Sequence, residues 1–240
     1  MKRHSSGFII GLVVTIILGF GVIAGVWLAL SSARALGYEP SVLRATKTGP
    51  NSATLTLGTF PDSHVCHPDD KDPQLGWVSY CNSTSLEVPP NSLVTIVINQ
   101  YDTASGLIND YFSQVRGTVG GVATYNGRAM THINPDDAAH TFTIQTSPDS
   151  PHPLFVSVPL LGVSSDANPN AVNVKGIDGS DNPYPKPNVI SFQIQTGPPG
   201  TVYIWHCYVP CGSDRGVPYG FSGPMSTTGY MAGTLTVAGY

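Results

Sequence analysis

The chain has 240 residues, which allows one sizeable domain together with a membrane anchor. Only 11% of the residues are charged and the net charge is −4 without a basic block, so the sequence gives no electrostatic support for nucleic-acid binding. Glycine and proline supply 26 and 21 residues, a turn-rich composition that is typical of β structure.

The first predicted element is a membrane-spanning helix at residues 8–30. This stretch of 23 residues carries no charge. It is long enough to span a bilayer, which takes about 20 apolar residues. Residues 1–7 form a short head in which Lys2 and Arg3 favour a cytoplasmic N-terminus. The stretch is longer than the roughly 7–15 apolar residues of a secretory signal, although Ala33-Arg34-Ala35 leaves a cleaved signal open. We therefore expect a single-pass protein of the cytoplasmic membrane, in contact with lipid, with an extracytoplasmic C-terminal domain.

Residues 31–52 are predicted to be a linker, and residues 53–240 an extracytoplasmic β domain. Short alternating or apolar runs such as Ala53–Thr59 and Leu86–Asn99 predict seven or eight strands at regular spacing. This pattern predicts an all-β fold, a Greek-key β-sandwich. Long loops are expected between the strands, at 60–84, 100–139 and 164–187. Within the second of these loops, Gly117–Gly127 is glycine-rich but lacks a phosphate-binding motif, so nucleotide binding is not predicted.

Two cysteines, Cys66 and Cys81, lie in the first of these loops. Outside the cytoplasm such a pair oxidises, and we expect a disulfide between them. An alternative is that His64, Cys66 and His67 bind a metal ion, because two histidines flank the cysteine.

The C-terminal stretch from Thr201 to Val237 carries the soft donor atoms. It opens as a strand in which Cys207 shares one face with Tyr203 and Trp205, while His206 lies on the other face. A turn, a further cysteine and a return strand follow, and the donors on this segment are Cys207, Cys211, Met225 and Met231. Thiolate and thioether ligands suit copper better than they suit harder ions.

An imidazole ligand is predicted at His140. Phe142 and Ile144 share its face of an alternating strand, so the ring is expected to point inward, as a ligand or as a buried core histidine. His132 lies eight residues earlier in a loop, and its direction is not fixed by the sequence.

These motifs resemble the ligand loop of cupredoxin domains, over roughly Ser85–Val237. Cys207-Tyr-Val-Pro-Cys211-Gly is similar to the C-x-x-x-C-G motif of cytochrome oxidase subunit II, which holds a dinuclear copper centre. His206-Cys207 and Gly229–Leu235 are similar to the two ends of the loop in blue copper proteins, multicopper oxidases and copper nitrite reductases.

The resemblance implies a mononuclear or dinuclear copper site. Its ligands would be His140, Cys207, Cys211 and Met231, with His206, Met225 and His132 as further candidates. Those families place a histidine between the cysteine and the methionine; here no histidine follows His206, so one expected ligand is missing.

The resemblance implies a membrane-tethered electron-transfer protein, or a subunit of a respiratory, oxidase-type membrane complex. Its partners would be other subunits or a redox protein. Neither a Ser/His/Asp nor a paired-carboxylate pattern stands out, so catalysis by the chain alone is not expected. The alternative is that Cys207 and Cys211 form a disulfide and that the domain is a metal-free or copper-delivering accessory subunit.

Overall fold

The computed structural model forms two units, Met1–Glu39 and Pro40–Tyr240. It describes residues 41–71, 76–147, 149–209 and 223–239 of the second unit. In the first unit it describes four helical residues, Thr15, Gly19, Gly21 and Val22. Among the described residues no helix is long and apolar enough to cross a membrane. Apart from those four residues, the span predicted at 8–30 lies outside the part of the chain that is described.

The second unit is built from two β-sheets. In spatial order, the first sheet consists of β1 (Leu43–Arg44), β5 (Ser85–Val88), β15 (Ala232–Val237), β14 (Val202–His206), β9 (Ala138–Gln145) and β10 (Phe155–Leu161). The second sheet consists of β2 (Thr46–Gly49), β3 (Ser52–Phe60), β6 (Leu93–Gln100), β13 (Asn188–Gln195), β7 (Ala123–Tyr125) and β8 (Arg128–Met130). β4 (Ser79–Cys81) pairs with β3, and β11 (Val172–Lys175) and β12 (Asp181–Tyr184) form a separate hairpin.

The chain crosses between the two sheets several times. The chain passes from β3 to β5 and back to β6, and later from β10 to β13 and back to β14. This crossing produces three parallel pairs, β1–β5, β5–β15 and β3–β6, while the other pairs are antiparallel. The fold is therefore an all-β sandwich, as the composition predicted.

The core lies between the sheets and follows from the two-residue alternation of their strands. In β6 the residues Val94, Ile96 and Ile98 are fully buried, while their neighbours are partly exposed. Phe142 and Trp205 enter the same core from the first sheet, with ring centroids 4.9 Å apart. Burying each such side chain contributes about 1.5–3 kcal/mol, so this shared core holds the sheets together.

The predicted boundaries need two corrections. The range 31–52 is not all linker, because it contains β1 and β2, and the folded unit begins at Pro40. The ranges 60–84, 100–139 and 164–187 are not simple loops, because they contain β4, the β7–β8 hairpin and the β11–β12 hairpin.

The described residues hold fifteen strands rather than seven or eight. The additional strands have two to four residues, which is too short for a periodic pattern to reveal. Two of these short strands, β7 and β8, are joined by a turn that the sequence does signal. Asn126 and Gly127 join β7 to β8 with φ of 48° and 87°, and Asn-Gly is the preferred pair for a two-residue hairpin turn.

Part of the segment 100–139 packs against the first sheet. β9 is buried on both faces along almost its whole length. A 3-10 helix at Asp110–Ser113 packs on β10. Phe112 from this helix stacks on Tyr208, with ring centroids 4.2 Å apart. This part of the segment therefore lies against β10, the neighbour of the strand that carries His140.

Candidate metal centre

Strand pairing brings His140 and Cys207 together. Cys207 directly follows β14, and its backbone N–H donates to the carbonyl oxygen of Met231 at 3.0 Å. β14 also pairs antiparallel with β9, with His206 opposite Thr143. Continuing that register past the end of β14 leads Cys207 toward the beginning of β9, where His140 lies.

The side chains of these two residues face each other in the interior. The Sγ atom of Cys207 lies 4.0 Å from Nδ1 of His140, and both residues are 0% exposed. The backbone N–H groups of Thr141 and Val209 each donate to the sulfur at 3.4 Å. Hydrogen bonds donated to a thiolate favour the charged form, so the sulfur lies in an environment suited to a metal-ligating thiolate.

The other ring nitrogen of His140 contacts a residue that the sequence did not predict. Nε2 lies 3.0 Å from Oδ2 of Asp102, which is 38 positions away in the chain. Histidines that bind metals usually donate their second N–H to a carboxylate or carbonyl group in this way. The available signal was a carboxylate just beyond the apolar strand β6, at an element end where functional residues are often found.

Burial and hydrogen bonding act in opposite directions on the pKa of His140. Burial alone lowers this pKa, because it disfavours the charged ring. Hydrogen bonds and charge interactions with Asp102 and Cys207 outweigh burial and raise the pKa to about 9. A metal ion binding at Nδ1 therefore has to displace a proton from the ring at neutral pH.

The spacing of the two donor atoms fits a bridging metal ion. With metal–sulfur and metal–nitrogen bonds of about 2.3 and 2.0 Å, an angle between tetrahedral and trigonal separates the two donors by roughly 3.5–3.8 Å. The observed separation is 4.0 Å, only a few tenths of an ångström wider. An ion can therefore bind both atoms with a small side-chain movement.

The two methionines lie in the same buried region. Met231 is 0% and Met225 2% exposed, and both belong to the core cluster that contains Cys207. The carbonyl oxygen of Met231 accepts the backbone N–H of Cys207, so these two residues are direct neighbours. Cys211 lies outside the described residues.

The structure does not bring the other two histidines to this point. His206 is half-buried, with Nε2 3.3 Å from Nε2 of Gln145 and its ring centroid 4.1 Å from that of Tyr208. His132 is exposed and contacts the Thr131 hydroxyl. Within the part of the chain that is described, no three His, Cys, Asp or Glu side chains are grouped to hold a metal ion.

The sulfur of Cys207, the ring of His140 and the carboxylate of Asp102 are also connected like a nucleophile, a base and an orienting carboxylate. Cys207, His140 and Asp102 follow this order, which is also found in enzymes with an activated cysteine. The sulfur is fully buried, so a substrate carbonyl cannot approach it without a rearrangement. A metal ion held between the two side chains needs no open approach once it is bound, and burial therefore favours metal binding over nucleophilic catalysis.

The other two predicted cysteines lie apart from this centre. The structure joins Cys66 and Cys81 by a disulfide, with Cα atoms 5.7 Å apart. Nε2 of His67 lies 2.7 Å from the carbonyl oxygen of Gly229, and His64 contacts Asp62. In this arrangement Cys66 has no thiolate to offer a metal ion.

No protein-family model matches the chain, and no curated protein matches it. Among solved structures, the chain is similar to one described as the crystal structure of a multicopper oxidase, with 9% sequence identity and a TM-score of 0.26. The match covers 80% of this chain and 45% of that chain, so this chain spans less than half the length of the solved structure.

Proposed function

We propose that the chain is a copper-binding electron-transfer protein with a cupredoxin-like domain. The observation that carries this proposal is the pairing of Nδ1 of His140 with Sγ of Cys207 at 4.0 Å in a fully buried site. Copper bound there would supply one-electron redox chemistry. His140 and Cys207 would hold it, with Met231 as the thioether ligand and with Cys211 and Met225 as further donors.

The surrounding residues suit a site that exchanges electrons without large movements. His140 pairs with Leu160 of β10, the backbone N–H of Cys207 bonds to Met231, and the sulfur accepts two backbone N–H groups. Apolar neighbours such as Val209 exclude water from the sulfur. Shielding and hydrogen bonding around a ligating sulfur control the redox potential of a metal site.

We further propose that the apolar segment at 8–30 anchors the domain to the cytoplasmic membrane. Its length and lack of charge support this assignment. The domain would then deliver electrons to a redox protein, or work as a subunit of a respiratory membrane complex, on the extracytoplasmic side.

The experiment compares two adjacent residues whose side chains lie on opposite sides of one strand. The chain is loaded with copper(II), and the visible absorption of a thiolate–copper bond is recorded. Cys207→Ser should abolish the absorption, because the sulfur is the absorbing ligand. His206→Ala is the matched control and should retain it, since that ring contacts Gln145 and Tyr208 instead. A Cys207→Ser variant with the wild-type spectrum would refute the assignment.

A second candidate function is a metal-free or copper-delivering accessory subunit. It is favoured by the lack of a third His, Cys, Asp or Glu donor at the site among the described residues. In the metal-free form Cys207 and Cys211 would be joined by a disulfide, a bond that the structure does not form at Cys207. A thiol assay on the denatured, unreduced chain separates the candidates: two reactive thiols support the copper protein, and none supports the metal-free subunit.

A further inference from the structure

The ring of His140 is held between two different partners. Nε2 lies 3.0 Å from Oδ2 of Asp102, and Nδ1 lies 4.0 Å from the sulfur of Cys207. An ionised carboxylate only accepts hydrogen bonds, so Nε2 must carry a proton to bond to Asp102. In the neutral imidazole the lone pair then lies on Nδ1 and points at the sulfur.

Asp102 is itself fixed by a buried polar network. Its Oδ1 atom accepts the backbone N–H of Thr103 at 2.7 Å. Its own N–H donates to Oε1 of Gln100 at 3.0 Å, and Nε2 of Gln100 donates to the Asp102 carbonyl oxygen at 3.2 Å. The hydroxyl of Thr59 donates to the same Oε1 atom at 2.8 Å. Gln100 and Thr59 are both 0% exposed, so the network leaves the carboxylate little freedom to turn away.

The network also joins the two sheets. Thr59 and Gln100 belong to the paired strands β3 and β6 of the second sheet, while His140 lies on β9 of the first. The buried N and O atoms of described side chains all have hydrogen-bond partners. A fully satisfied network of this kind rigidifies the groups it contains.

We infer that Asp102 is a positioning residue that keeps the proton of His140 on Nε2 and so presents Nδ1 to Cys207. The effect on copper binding rests on the function proposed above. The position of the proton on the His140 ring does not depend on that function. Asp102 does not touch the metal; it raises the donor strength and fixes the orientation of the ligand that does.

The first test needs no metal. Nitrogen chemical shifts of the imidazoles are measured by NMR on the metal-free full chain, at a pH where the ring of His140 is neutral. The wild type should show a single tautomer with the proton on Nε2. Asp102→Asn should give a mixed or reversed tautomer, because the amide can donate as well as accept. A wild-type ring with its proton on Nδ1 would overturn the inference.

Copper affinity provides the second test. Loss of a carboxylate that supports a ligating histidine typically weakens metal binding by about 10- to 100-fold. We expect such a loss, with a shifted thiolate–copper absorption band, for Asp102→Asn. The matched control is Asp137→Asn, which removes the same charge from an exposed side chain near β9 and should leave affinity and spectrum unchanged.

The outcomes separate this inference from the proposed function. A wild-type chain that binds no copper but shows the Nε2 tautomer would refute the copper protein and support the positioning role. Asp102→Asn with unchanged tautomer, affinity and spectrum would refute the positioning role while leaving the copper protein intact. If Asp102→Asn does not fold, the tautomer of the wild type still decides.

Discussion

Replacing His140 with alanine tests how much the buried contact between His140 and Asp102 contributes to the free energy of unfolding. The side chain is 0% exposed and contacts Asp102, whose side chain is only 12% exposed. Removing one partner of a buried pair costs about 3–5 kcal/mol, because the other polar group stays buried without it. Asp102 keeps its bond from the Thr103 N–H, so we expect the lower end, about 3 kcal/mol.

This loss should be visible in thermal unfolding of the metal-free chain. For folded units of about 150–250 residues, 1 kcal/mol shifts Tm by about 2–4 °C, and the unit here is Pro40–Tyr240. His140→Ala should therefore lower Tm by roughly 6–12 °C. His132→Ala is the control, because an exposed histidine contributes within about 0.5 kcal/mol. If the two variants unfolded at the same temperature, the buried pair would not exist as described.

Three further predictions concern other parts of the fold. Cys66 and Cys81 should resist alkylation until they are reduced, and mass spectrometry showing their labelling in the unreduced chain would contradict the disulfide. Gly233→Ala should destabilise the chain by about 1–3 kcal/mol or more, because the added Cβ would lie 1.9 Å from a backbone oxygen; an unchanged urea midpoint would count against this packing. Phe112→Ala should speed alkylation of Cys207 in the metal-free chain roughly two- to tenfold, since the lost ring stack contributes about 0.5–1.5 kcal/mol. An unchanged labelling rate would show that this ring does not shield the sulfur.

The pairing of His140 with Cys207 was accessible from the sequence because each side chain follows a local two-residue alternation. Phe142 and Ile144 share the inward face of β9 with His140, and Trp205 of β14 points inward like Cys207, which directly follows that strand. Two inward-facing residues near the ends of core strands were reasonable candidates for one site. The pattern predicted their direction, and strand pairing supplied the contact.

Asp102 could not be predicted in the same way. It lies 38 positions from His140, beyond the end of β6, outside any alternating pattern that would show its direction. Its contact with the ring depends on how the second sheet packs against the first, which is a tertiary property. The β1 and β2 strands were missed for a different reason: they are mostly exposed and too short to show a period.

The most direct test of the central claim is the copper content of the full chain after loading with copper(II), read together with its EPR spectrum. The account predicts one tightly bound copper per chain with the narrow hyperfine splitting of a thiolate-bound site, because one histidine and one cysteine face each other in the described residues. Two coppers sharing one unpaired electron would also support the site and would add Cys211 to it. A chain that retains no copper would contradict the account and favour the metal-free subunit.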